Sequence, residues 1–78
     1  MTADEMLNEL GFFKSEEESN IDYIVYINEF NEEEYEKIIF CIYCKSYVAY
    51  TEVREAVEID LDLLKAIIAK EKELGWLD

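Results

Sequence analysis

Apolar residues recur along this chain with two periods, and the changes between them mark the elements. Met6, Leu7 and Leu10 form a helical stripe, and Thr2 followed by Glu5 is a capping box in which hydroxyl and carboxylate each satisfy a backbone N–H. Gly11 suits the left-handed position after a helix end, so the pattern predicts a helix over Ala3 to Leu10. Phe12 and Phe13 open a short strand or bridging segment, and Ser15 to Asn20 reads as a solvated loop. The period then falls to two. Ile21, Tyr23, Val25 and Ile27 alternate through a strand predicted over Ile21 to Asn28. An acidic turn follows at Asn31 to Glu34, then a second strand over Tyr35 to Cys44, rich in β-branched and aromatic residues. Reversal near Lys45 and Ser46 leads to a third strand, Tyr47 to Val53. No Asn-Gly or Asp-Gly fixes that turn, so its register stays open. Asp60 caps a closing helix over Leu61 to Leu74, with Leu64, Ile67, Ile68 and Leu74 as its apolar stripe. Gly75 ends it, and Lys70 and Lys72 suit the negative end of its dipole.

Pairing the first two long strands about the acidic turn places Val25 opposite Ile38 and Tyr23 opposite Phe40. The expected core face is then Ile21, Tyr23 and Val25 with Ile38, Phe40 and Ile42, covered by both helices. The other face carries Ile24, Tyr26, Ile39, Cys41 and Tyr43, with Asp22 and Lys37 at its margins. It is too apolar for a plain solvated surface: either a helix crosses it or it waits for a partner. The expected architecture is a single α+β domain over residues 1–78, a three- or four-stranded antiparallel sheet flanked by an N-terminal and a C-terminal helix.

Composition narrows the chemistry. With 51% hydrophobic residues and eleven aromatics in 78 residues, a packed core is within reach and disorder is excluded for most of the chain. Twenty acids against seven bases give a net charge of −13, which excludes a general electrostatic attraction to nucleic acid or anionic membrane. The longest wholly apolar run, Ile38 to Cys44, is far short of the roughly 20 residues of a membrane span. Met1 to Leu10 has neither a basic start nor an apolar h-region, so the expected location is a reducing cytoplasm. Cys41 and Cys44 have redox-motif spacing, but in a strand their thiols point to opposite faces, which favours two plain sheet cysteines. There is no His, phosphate loop, nucleophile motif or calcium loop. Neither an enzyme nor a cofactor or metal is expected.

The placement of charge is more informative than its sum. Residues 1–36 hold twelve acids and one base, leaving only −2 for the remaining forty-two residues. A domain needing only solubility would spread this charge, because clustering it costs self-repulsion. The candidate site is therefore Glu16, Glu17 and Glu18 together with Glu29, Glu32, Glu33, Glu34 and Glu36, with Tyr26 and Tyr35 as interface aromatics. If Glu32, Glu34 and Glu36 are extended, their carboxylates point one way about 6.6 Å apart, twice the strand rise and of the order of phosphate spacing along a nucleic-acid strand. The expected partner is a protein with a basic surface; the plainer alternative is that the acidic loops are merely solvated. A rival expectation is a small structural or adaptor protein, a homodimer joined through the second sheet face at Ile24, Ile39, Cys41 and Tyr43.

The two ends, MTADEMLNELGF at residues 1–12 and LLKAIIAKEKELGWLD at residues 63–78, resemble small uncharacterised acidic proteins encoded by phages and prophages of Gram-positive bacteria. Those proteins share a similar plan: a short M-L-x-E-L-G-F/Y helix, a few aromatic strands and a closing helix ending in E-L-G-W. The resemblance covers about twenty-eight residues and implies a phage accessory protein acting inside the host cell. By analogy of size and charge, it points toward DNA mimics, anti-restriction proteins and anti-CRISPRs.

Overall fold

The computed structural model describes residues 1–77. Its elements run α1 (Ala3–Glu9), β1 (Phe13–Lys14), β2 (Tyr23–Glu29), β3 (Tyr35–Cys41), β4 (Ser46–Thr51) and α2 (Leu61–Glu73). The four strands form one antiparallel sheet in the order β1-β2-β3-β4. The expected α+β plan is therefore observed, with the Phe12–Phe13 segment supplying the fourth strand.

Local chemistry makes both helices. In α1 the Glu5 N–H donates to Thr2 Oγ1 at 3.1 Å and the Thr2 N–H donates to Glu5 Oε1 at 2.9 Å, closing the capping box. In α2 the Leu63 N–H donates to Asp60 Oδ1 at 2.9 Å. Each helix ends in the same device, Glu-Leu-Gly followed by an aromatic. Gly11 (φ 94°) and Gly75 (φ 77°) turn left-handed. The next N–H, of Phe12 or Trp76, then donates back to Leu7 or Glu71. That reversal drops Phe12 and Trp76 onto the core.

The core lies between the sheet and both helices, which pack on the same face. Leu7 of α1, and Leu63, Ala66 and Ile67 of α2, join Phe12, Tyr26, Ile38, Phe40 and Val57 in one buried cluster. Phe40 sits at its centre, its ring 5.8 Å from Tyr26, 6.0 Å from Tyr47 and 6.2 Å from Trp76. The buried side of α2 runs Leu63, Ala66, Ile67 and Lys70. Of the expected stripe, Ile67 is buried, Leu74 packs half-buried against the core, Ile68 is half-buried and Leu64 is not part of it. Leu64 is exposed, because the helix is rotated to bring small Ala66 and the stem of Lys70 against the sheet.

The β2–β3 register differs by one residue from the expected one. Tyr23 pairs with Cys41, Val25 with Ile39 and Tyr26 with Ile38, so even-numbered positions of both strands share the core face. The cause is the loop. Asn31 Oδ1 accepts the N–H groups of Glu33 and Glu34, and the Phe30 N–H donates to the Glu34 carbonyl. A closed five-residue loop, Phe30 to Glu34, thus replaces a four-residue one. A slip of one residue exchanges the faces of a whole strand. Ile24 and Tyr26 consequently enter the core side, whereas Tyr23 and Val25 turn to the other, where Val25 is nevertheless buried. Ile21, expected in the core, is 91% exposed ahead of β2, and Ile42 lies beyond β3.

The strand ends are also shorter than expected. β3 stops at Cys41 and residues 42–45 make the reversal, with Lys45 at φ 54°. β4 stops at Thr51, where a turn through Arg54 (φ 64°) sends the chain back along the sheet edge. There the Thr51 N–H donates to the Glu55 carbonyl at 2.8 Å, and Ala56 bridges Tyr50. This return segment covers part of an edge that would otherwise offer unpaired backbone groups.

Candidate functional site

Among the described residues, no helix crosses the second sheet face. Strand alternation puts Phe13 of β1, Tyr23, Val25, Ile27 and Glu29 of β2, Tyr35, Lys37, Ile39 and Cys41 of β3, and Val48 and Tyr50 of β4 on that side. Phe13 is 58% and Val48 55% exposed, so the periphery of the face is open and apolar. Ile24 and Tyr26, expected there, lie on the helix side instead.

The loop before β2 is built by side-chain capping. The Glu18 N–H donates to Ser15 Oγ, the Val25 N–H to Ser19 Oγ, and the Asp22 and Tyr23 N–H groups both donate to Asn20 Oδ1. This arrangement carries Glu18 to the open face, where the Lys37 ammonium donates to its Oε1 at 2.6 Å. Burial disfavours the Lys37 charge, but the Glu18 carboxylate outweighs it and holds the ammonium above the usual lysine range. Lys37 Nζ also lies 5.1 Å from the Tyr35 ring centroid. Around this pair, Glu18, Ile27, Glu29, Asn31, Glu32, Tyr35 and Lys37 line a shallow cavity of about 190 Å³. Acids from two loops, on either side of β2 in sequence, therefore meet at one end of the open face.

The expected site residues divide accordingly. Glu18, Glu29, Glu32 and Tyr35 are brought together, with Glu16 and Glu17 exposed in the turn next to Glu18. Glu16 lies 3.9 Å from Lys14. Glu33 and Glu34 are exposed in the β2–β3 loop, where Glu34 Oε1 accepts from Asn31 Nδ2 at 2.7 Å. The three carboxylates expected along one extended edge do not form a row. Glu32 and Glu34 lie in the loop, and Glu36 stands in β3 on the helix side, opposite Asn28 and Thr51. Burial, and then the Glu52 carboxylate, push Glu36 above the usual carboxylate range. Among the described residues Glu17, Glu29, Glu32, Glu33, Glu34 and Glu36 make no ion pair.

Tyr26 is a correction. It is fully buried, and its hydroxyl donates to Asp4 Oδ1, so it presents nothing to a partner. Burial first, and then Asp4, hold the phenol well above its usual range. The slipped register takes Tyr26 off the surface and puts Tyr23 there in its place, 43% exposed. The sequence reading also missed Tyr50, which carries the Arg54 guanidinium 4.9 Å from its ring centroid. Alternation within β4 was the available signal, because Val48 and Tyr50 share a parity.

Geometry and charge define a class: a small two-layer α+β domain with an open, partly aromatic sheet face bordered at one end by unpaired carboxylates. No protein-family model, no curated protein and no solved structure matches the chain.

Proposed function

We propose that this chain is a non-enzymatic phage or prophage inhibitor that occupies a basic, nucleic-acid-binding surface of a host protein in the bacterial cytoplasm. It is a DNA mimic in the manner of an anti-restriction or anti-CRISPR protein. The observation that supports the reading is the convergence of Glu18 and Glu32, from two separate loops, with Glu29 at the end of β2, beside Tyr35. Glu16, Glu17, Glu33 and Glu34 lie in the same two loops. Glu18 is held by Lys37 and Glu16 lies near Lys14, but Glu17, Glu29, Glu32, Glu33 and Glu34 have no cationic partner among the described residues. Their charge is available to a Lys- and Arg-rich surface, and opposite fields speed encounter.

The test is capture from a Gram-positive host lysate on the immobilised chain, followed by elution with duplex DNA. The reading expects a basic protein that duplex DNA displaces and that rising salt releases. Reversing Glu29, Glu32 and Glu33 to Lys abolishes retention, whereas reversing the exposed Glu55 and Glu58 leaves it within a few fold. Equal losses from both sets, or a partner that DNA does not displace, overturn the mimic reading.

A second reading draws on the open face itself: a structural or adaptor protein that self-associates through Phe13, Ile39 and Val48. Its salt dependence has the opposite sign. Dimerising a chain of net charge −13 is opposed by repulsion that salt screens, so association strengthens as salt rises. Sedimentation at micromolar concentration over a salt series separates the two. A monomer at every salt concentration, unchanged by Val48→Glu, removes self-association.

A further inference from the structure

The only two cysteines of the chain are not placed on opposite faces of a strand. β3 ends at Cys41, and Cys44 stands exposed in the turn that follows. A turn brings residues three apart within about 7 Å, close to the separation a disulfide spans. Here the Cys44 N–H donates to Cys41 Sγ at 3.3 Å, so the backbone of one cysteine touches the sulfur of the other. The neighbouring Cys41 side chain pushes the Cys44 thiol above the usual range. The Cys41 sulfur thus accepts a backbone N–H, with the thiol of the exposed Cys44 beside it.

We propose that the β3–β4 turn is a thiol modification site whose substrate is a small disulfide of the glutathione type and whose product is an intrachain Cys41–Cys44 disulfide. The Cys41 thiolate attacks one sulfur of the small disulfide. A mixed disulfide forms, the S–S bond of the substrate breaks, and one small thiolate leaves with the electron pair. Cys44 gives its proton to solvent and attacks the Cys41 sulfur, expelling the second small thiolate. Two protons and two electrons leave the chain, and the small disulfide becomes two thiols.

The closed ring spans only four residues, so it constrains the unfolded chain little and adds little to stability. Closure therefore follows the thiol–disulfide poise of the surroundings rather than the stability of the fold. Cys41 also pairs with Tyr23 and Ser46 at one end of the open sheet face, so closure fixes the turn at that end.

The experiment equilibrates the purified chain with graded mixtures of reduced and oxidised glutathione, traps free thiols by alkylation and reads intact mass. The expected wild-type product is a monomer lighter by two hydrogens, with no alkyl group and almost no glutathione adduct. Cys41→Ser and Cys44→Ser each end as a glutathione adduct, on the order of tenfold more abundant than in the wild type, because the resolving thiol is gone. Three outcomes overturn the proposal: a wild-type chain that stays reduced at every mixture, one that collects two glutathiones, or one that forms only interchain dimers.

Discussion

Removing the Asp4 carboxylate would strand two donors at once. Its Oδ1 accepts from the buried Tyr26 hydroxyl and, at 3.2 Å, from Lys70 Nζ, while Glu73 takes the other side of Lys70 and the Ala3 N–H. The cluster joins α1, β2 and α2 at one point. Its members are unequal because the Asp4 side chain is 47% exposed and can rehydrate, whereas Tyr26 cannot. Tyr26→Phe removes one hydrogen bond and should cost about 1 kcal/mol. Asp4→Ala leaves the phenol and the ammonium short of an acceptor and should cost about 2–3 kcal/mol. Lys70→Met replaces the buried stem with an apolar one and should stay within about 1 kcal/mol of the wild type. Urea unfolding ranks the three, and a Lys70→Met loss as large as that of Asp4→Ala would make the ion pair, not the phenol, the main joint. Burial raises the Asp4 pKa, but Tyr26 and then Lys70 outweigh it and hold the carboxyl below its ordinary value. The stability this contributes is present above the ordinary carboxylate value and is lost as pH falls through the lowered one. Asp4→Ala should therefore flatten the acid limb of the stability curve below about pH 4.

The two helix ends share a sequence device but not a surrounding. A Cβ on Gly75 would meet nothing within 4 Å, so Gly75→Ala should cost only the left-handed backbone, about 1 kcal/mol. A Cβ on Gly11 would lie 2.9 Å from Asn28 Oδ1, on a side chain that also donates to the Leu10 carbonyl. Gly11→Ala should cost about 2 kcal/mol, with the excess relieved in Gly11→Ala/Asn28→Ala. Equal denaturant midpoints for the two single variants would mean that Asn28 yields freely. Helix ends of this kind are legible in sequence because capping is local: Thr2 with Glu5, Asp60 with Leu63, and glycine before an aromatic all act within five residues. The sheet register is not local. Tyr23 to Ile27 is apolar on both faces, so alternation cannot say which face is buried, and one Asn31 side chain closing the loop decides it. The candidate site inherited that ambiguity. Glu16 to Glu18 and Glu29 to Glu34 were visible as acidic runs, but their meeting at Lys37 depends on strand order and on the Ser15, Ser19 and Asn20 caps. Tyr26 was misplaced and Tyr23 overlooked by the same single-residue slip. The cysteine pair was hidden by three residues of strand length, since Ile42 and Tyr43 suit a strand as well as a turn.

At the scale of the whole molecule, a net charge of −13 confronts only four ion-pair contacts among the described residues, two of them on Lys70. Most carboxylates thus repel one another across the surface with no cation between them. Salt with a screening length of about 8 Å weakens that repulsion more than it weakens a few exposed pairs, so Tm should rise with salt at pH 7. Acid should act in two stages. Glu36 is held above its ordinary value, so the native state takes up its proton first. The associated stabilisation is full below the unfolded value and fades as pH rises through the folded one. Lowering pH from 7 to about 5 should therefore raise Tm, while also reducing repulsion. Asp4 and Glu5 work the other way. Both are held below the ordinary range, Glu5 chiefly by the Thr2 N–H, so their stabilisation vanishes only as pH falls through those lowered values. Tm should then pass through a maximum near pH 5 and fall below about pH 4. Thermal melts at pH 7, 5 and 3, each with and without salt, read both stages. A Tm that falls with salt at pH 7 would mean that attraction outweighs repulsion across the surface, and the acidic loops would then have no uncompensated charge to offer a basic partner.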